Sequence, residues 1–271
     1  MKPNQILKKK IQFFLDAPTD IATYEQEKLE DIEAEDDRSA VIDELDFSIG
    51  KTLLAPANNF VLNNRTAEGW TNFERAMTWI YNYIKKAKPT NFSLTDEPFA
   101  AVIGMSWLFD KKDMTDTAVT LLRRRWDLKK EQAHEYVVHK ELLVSLYEIY
   151  YNNNQGGLPV DFLPADHIYR RLINSINTPN EQYTALLQEA CDYHLMHTTL
   201  AADKNFIEFA YFELIPYEIL LVLKTREKLG FEALVIDHEL MKTPLAQFQG
   251  NTSTYDPERD EVLQLVLRKA K

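Results

Sequence analysis

Glycine is the scarcest conformational resource in this chain: 7 of 271 residues, where average usage would supply roughly 19. Tight hairpins depend on glycine at positive φ, so an all-β fold has too few corners to be built from this sequence. Prolines fall instead at intervals of helical length: Pro18, Pro56, Pro89, Pro98, Pro159, Pro164, Pro179, Pro244 and Pro257 mark off segments that predict about ten helices. With 45% hydrophobic residues the chain can bury a sizeable core. The expected architecture is a single all-α domain over residues 1–271.

Apolar spacing supports that reading. Between Gly69 and Lys88, residues Trp70, Phe73, Met77, Ile80, Tyr81 and Ile84 recur at steps of three and four, forming one helical stripe. Between Lys129 and Tyr151, residues Tyr136, Val137, Leu143, Val144, Tyr147 and Tyr150 do the same. Phe206 to Leu229 is apolar on nearly every side and is the expected buried centre, with Pro216 kinking it or starting a second helix. Thr95-Asp96-Glu97-Pro98 offers a helix start, and Asp113 or Thr115 can cap the next helix. The main internal break is expected over 152–164, within one domain, and a second break over 248–257 precedes a short C-terminal helix at 256–270. Trp70, Trp79, Trp107 and Trp126 are irregularly spaced and mark no repeat.

Lys8, Lys9 and Lys10 precede the apolar Ile11, Phe13, Phe14 and Leu15, but a secretory signal needs about seven or more apolar residues and a small-residue cleavage site. The longest apolar tract, Leu214 to Leu223, contains Pro216 and Glu218 and falls far short of the roughly 18 residues that span a bilayer. A soluble, cytoplasmic protein is expected. The single cysteine, Cys191, can form neither an internal disulfide nor a cysteine-based metal site, which fits a reducing compartment. The formal net charge of −11 argues against a general nucleic-acid binder and an anionic-membrane binder, both of which need a basic face.

Most of that charge sits in one place. Tyr24 to Asp46 holds 11 acidic and 2 basic residues, a balance of −9. The candidate partner-binding residues are Glu25, Glu27, Glu30, Asp31, Glu33, Glu35, Asp36 and Asp37, followed by Asp43, Glu44 and Asp46. Leu29, Ile32, Val41, Ile42, Leu45 and Ile49 supply a sparse apolar side, which predicts an amphipathic helix or helix pair with one negative face. Such a run can be a solvated face and nothing more. It can also steer a basic partner into contact. Calcium is disfavoured, because no glycine occurs between Tyr24 and Ile49 to turn a coordination loop.

Other chemistry is thinly represented. Glu131-x-x-His134 has di-iron spacing but stands once, where such bundles need two pairs and two further glutamates. His194 and His197 share a predicted helix face, with His139, Asp192 or His238 as imaginable further ligands. Packed structural histidines are the simpler reading. Cys191 falls inside a predicted helix, where a buried thiol is inert. No nucleophile elbow or phosphate-cradling loop is written into the chain. Arg123-Arg124-Arg125, with Trp126, Lys129 and Lys130, is the one basic cluster and could grip a phosphate backbone, but against the acidic total it reads as a helix C-terminus or as an intramolecular partner for the acidic segment. No catalytic residue, metal site or cofactor is expected.

Three tracts carry a family likeness: PFAAVIGMSWLFDKKDMTDTAVTLL from Pro98, GGLPVDFLPADHIYRRLI from Gly156 and FIEFAYFELIPYEILLVLKTREKLGF from Phe206. They resemble, in pattern, the all-helical immunity proteins of bacterial polymorphic toxin systems, chiefly the immunity protein 49 family, with immunity proteins against PoNe-type nucleases as neighbours. The resemblance implies an all-α protein without catalytic residues that binds and masks one cognate toxin. A toxin acting on nucleic acid or a nucleotide would present a basic cleft to the carboxylates. The acidic segment lies outside the resemblance, and its role as the toxin-facing surface is an inference from charge. A helical adaptor or scaffold with an acidic surface is the alternative, and a metal-dependent helical-bundle enzyme the third reading.

Overall fold

A computed structural model describes residues 2–43, 45, 50–86, 96–129, 138–154, 156–198 and 208–271. Among the described residues the chain is all-α, with twelve α-helices and no strand. No helix among them is long and apolar enough to cross a membrane. The residues divide into two compact units: Ile11–Lys130 with Gln249–Lys271, and Met1–Lys10 with Glu131–Phe248. The connection over 152–164 therefore lies inside the second unit, and the break at Phe248 coincides with a unit boundary.

The first unit takes α1 (Pro3–Leu15) from Ile11 onward, α2 (Ile21–Ala34), α3 (Arg38–Asp43), α4 (Ala55–Leu62), α5 (Thr66–Lys86), α6 (Glu97–Leu108), α7 (Lys112–Lys129) and, from the far end of the chain, α12 (Glu261–Lys269). α5 buries Trp70, Phe73, Met77, Ile80 and Ile84 as its period requires, while Tyr81 stays at the edge. Glu68 in its first turn and Lys85 and Lys86 in its last match the helix dipole at both ends. Gly69 lets α4 approach α5 closely: a Cβ there would lie 2.4 Å from Val61 Cγ2 and 2.9 Å from the Ala57 carbonyl oxygen.

α6 is buried from Pro98 through Leu108 and turns sharply into α7 through Asp110, which takes φ of 55°. Across that corner the Ser106 and Thr115 hydroxyls bond at 2.8 Å. Asp96 does not cap α6 through its side chain. It accepts instead from the buried Arg125 Nε at 2.8 Å, so one member of the basic cluster is an internal ion-pair partner, for Asp96 rather than for the acidic segment. Thr95 and Lys130 lie outside the described residues.

The second unit holds α8 (His139–Asn152), α9 (Ile168–Asn174), α10 (Asn180–Met196) and α11 (Tyr217–Lys228). α8 ends on Asn153 in the left-handed region at φ of 52°, a conformation asparagine tolerates better than most residues. The 3₁₀ turn Pro159–Phe162 is tied back to α8, with Val160 N donating to Ser145 Oγ at 3.0 Å. Leu143 and Val144 are buried, whereas Tyr147 and Tyr150 are half-buried; Tyr136 and Val137 lie outside the described residues. Pro216 starts a helix rather than kinking one: residues 208–216 run as successive turns and α11 begins at Tyr217. Residues 208–226 are mostly buried as expected, with Phe206 and Ile207 outside the described residues, but they bring Glu208, Glu213 and Glu218 into the interior.

Candidate functional site: an acidic helix beside a cleft

α2 opens well and closes badly. Asp20 caps its start, accepting from Thr23 N at 3.1 Å and from Thr23 Oγ1 at 2.8 Å. These bonds hold the Asp20 carboxyl below the usual carboxylate range. At the other end the last turn has no basic residue, and Glu30, Asp31, Glu33 and Glu35 crowd the negative pole of the dipole, an arrangement that costs stability. The missing cation comes from α12. Lys269 Nζ donates to the carbonyl oxygens of Ile32, Glu33 and Glu35 at 2.7, 2.6 and 2.8 Å, filling three acceptors that a helix end leaves unsatisfied.

The eight candidate residues do not form one uniform surface. Glu27, Glu30, Asp31, Glu33, Asp36 and Asp37 are exposed. Asp31 stands 3.8 Å from Lys28 Nζ, and Glu30 accepts from Gln26 Nε2 at 2.9 Å. Glu35 is half-buried and accepts from Asp37 N at 2.7 Å, while Asp37 accepts from Ser39 N at 2.8 Å to open α3. Glu25 departs furthest from the expectation of an outward charge: it accepts from Arg75 Nη1. Glu44 and Asp46 lie outside the described residues. Leu29 is half-buried and Ile32 and Val41 are buried, so the sparse apolar side does pack inward.

Arg75 is one half of a hub that the charge count does not reveal. Its Nε and Nη2 donate to Asp260 Oδ2 and Oδ1 at 2.7 and 2.9 Å. Asp260 also accepts from Trp79 Nε1 at 2.8 Å, from the Tyr255 hydroxyl at 2.8 Å and, as the N-cap of α12, from Leu263 N at 3.1 Å. Burial works against the Asp260 carboxylate, but Arg75, Trp79 and Leu263 outweigh it and hold the group below its ordinary range. Between α2, α5 and residues 254–262 lies an open cleft of about 440 Å³, with this hub as its floor.

The second unit contains a separate buried polar network. His139 Nδ1 lies 2.9 Å from Glu208 Oε1, which also accepts from His139 N at 2.7 Å; the Tyr217 hydroxyl lies 2.8 Å from His139 Nε2. His194 Nδ1 lies 2.8 Å from Glu218 Oε1, and its Nε2 lies 3.1 Å from the Glu213 carbonyl oxygen. The Phe209 ring sits against both imidazoles, at 4.5 and 4.2 Å between centroids. Burial opposes the charged form of His194, but Glu218 and the Glu213 backbone prevail and raise it above the usual histidine range. Glu208 is held low against burial by His139, and burial raises Glu213 against the pull of Lys10, 3.0 Å away.

These histidines do not assemble the imagined ligand set. His194 turns inward, while His197 stacks on Tyr193 at 3.7 Å, and His238 meets Asp192 at 3.2 Å elsewhere. Among the described residues no three His, Cys, Asp or Glu side chains stand together as metal ligands; Glu131 and His134 lie outside them. Cys191 is buried, and burial pushes its thiol well above the ordinary range. The Asp260 hub and the two His–Glu pairs escape sequence reasoning because their partners stand 185, 69 and 24 positions apart. The one local hint is the N-cap pattern at Asp260, three residues ahead of Leu263. The chain matches no protein-family model, no curated protein and no solved structure.

Proposed function

We propose that the chain is an immunity protein, which binds a cognate bacterial toxin domain one to one and masks it through the exposed acidic face of α2 and the turn into α3. The observation that carries this reading is the way the charge is held. Glu27, Glu30, Asp31 and Glu33 repel one another at helical spacing and oppose the dipole. Yet Asp20 and Lys269 fix both ends of α2. A local electrostatic conflict that the surrounding structure compensates is the mark of a surface kept for a purpose. The fixed helix presents these carboxylates together, and they complement a basic cleft, as on a toxin that acts on nucleic acid or a nucleotide. The likeness of the three tracts to helical immunity proteins supports the same reading.

The first step is to look for a secreted effector with a C-terminal toxin domain encoded beside this gene; that toxin domain is then the partner in the binding test. Glu27→Lys, Glu30→Lys, Glu33→Lys and Asp36→Lys combined leave Glu25, Glu35 and Asp37 to their structural contacts. Stopped-flow association at two salt concentrations should show a slower, less salt-dependent approach, and protection of cells from the toxin should fall. No complex with the neighbouring domain, or a complex indifferent to the four reversals, overturns the reading.

A further inference from the structure

The cleft beside α2 is built for a side chain with two natures. Its volume of about 440 Å³ lies within the range of small-ligand sites. Leu29 and the buried Val262 supply apolar wall, and Tyr255 supplies an aromatic ring. Carboxylates come from three directions: Glu25 on α2, Asp256 in the turn before α12, and Glu261 at the start of α12. The two guanidiniums that also line the cleft are committed. Arg75 is held by Asp260 and Glu25, and the exposed Arg259 pairs with Asp256 at 3.3 Å. With Asp260 on the floor, four carboxylates face two guanidiniums, and the cleft keeps two negative charges.

An apolar stem, a planar cationic head and a ring to stack on describe arginine. We propose that this cleft is the anchor pocket for an arginine side chain of the protein partner, its aliphatic carbons against Leu29 and Val262 and its guanidinium among Glu25, Asp256 and Glu261. This rests on the reading that α2 meets a basic partner, and it adds where the partner is gripped. The α2 face steers an approaching cationic surface, and the cleft at its edge receives one residue, as interfaces concentrate affinity in a few anchors within pockets.

The probe is N-acetyl-L-argininamide, with N-acetyl-L-citrullinamide as its uncharged isostere and inorganic phosphate as an anionic control. The reporter is the indole N–H of Trp79, which donates to Asp260 on the cleft floor, followed by NMR in the full chain. The arginine probe should give a saturable shift in the millimolar range. The citrulline probe should bind about tenfold more weakly or worse, the effect of losing a charge-assisted hydrogen bond. Asp256→Asn with Glu261→Gln, both on exposed positions, should weaken the arginine probe by a similar factor with an unchanged helical spectrum. No saturable shift, equal binding of the citrulline probe, or preferential binding of phosphate overturns the pocket. Partner association that survives such a result leaves the docking reading standing, and probe binding without any partner complex removes the docking reading alone.

Discussion

Replacing Asp260 with asparagine keeps the shape of the hub and removes its charge. The native carboxylate takes five donors: two from Arg75 and one each from Trp79, Tyr255 and Leu263. An asparagine oxygen can still cap α12 through Leu263, but its amide turns N–H groups toward the guanidinium. Breaking a buried ion pair by removing one partner costs about 3 to 5 kcal/mol. Arg75 keeps Glu25 and is 15% exposed, so the expected loss is near the lower bound, about 3 kcal/mol.

The assay is selective, because Trp70, Trp79, Trp107 and Trp126 all belong to the first unit. Urea unfolding followed by tryptophan fluorescence therefore reports that unit. The pH dependence has a fixed sign. The Asp260 carboxyl is lowered on folding, so its contribution is complete above the unfolded aspartate value of about 3.9 and is lost as pH falls through the lower folded value. The gap between wild type and Asp260→Asn should stay level from about pH 5 to 8 and narrow below about pH 4. A loss under about 1 kcal/mol, the scale of an exposed salt bridge, or a gap that widens in acid would refute the hub as a stabilising centre.

Three further outcomes are expected. Lys269→Met should cost about 1.5 to 3 kcal/mol, the worth of charge-assisted hydrogen bonds, and amide exchange should show α2 fraying at Ile32 to Glu35 ahead of its start; uniform exchange along α2 would count against the cap. His194→Ala should strand Glu218 and destabilise the second unit by about 3 kcal/mol or more. Because the folded His194 is raised, that deficit should be full below about pH 6.5 and shrink as pH rises through the folded value; it is read by comparing thiol labelling of Cys191, the chain's single cysteine, in the two proteins at each pH. Arg226→Lys should cost about 1.5 to 3 kcal/mol, the worth of hydrogen bonds made by a charged group, since Arg226 lies between the Tyr183 and Phe231 rings and donates to the Ile176 and Thr178 carbonyls and to Asn180 Oδ1; thiol labelling of Cys191 across a urea series measures it, and an unchanged midpoint would refute it.

The legible part of this protein is the part written in short periods. The glycine deficit and the stripe from Trp70 to Ile84 predict helices because both act within a few residues of themselves. The acidic face of α2 is legible for the same reason. The two partly withdrawn members, Glu25 and Glu35, are not, since what removes them from the surface is Arg75, fifty positions away, and a turn geometry set by α12. Likewise Phe206 to Leu229 reads from its hydropathy pattern as a segment apolar on nearly every side. Its three buried glutamates are compatible with the interior only because His139, His194 and Lys10 arrive from elsewhere in the chain. Pairing of charges at long range leaves no periodic trace in composition.

The joining of Arg75 to Asp260 also sets a timetable. At ordinary rates of protein synthesis, about 5 to 20 residues per second, the ribosome adds the 185 residues between them in roughly 10 to 40 s. During that interval α5 is complete, Glu25 is already made, and the carboxylate that will hold both guanidinium edges does not yet exist. Residues 131–248, which form the bulk of the second unit, are all synthesised in the meantime. The unit built from residues 11–130 and 249–271 is thus the later of the two to close, and the acidic helix acquires its Lys269 cap only after residues 131–248 have been made.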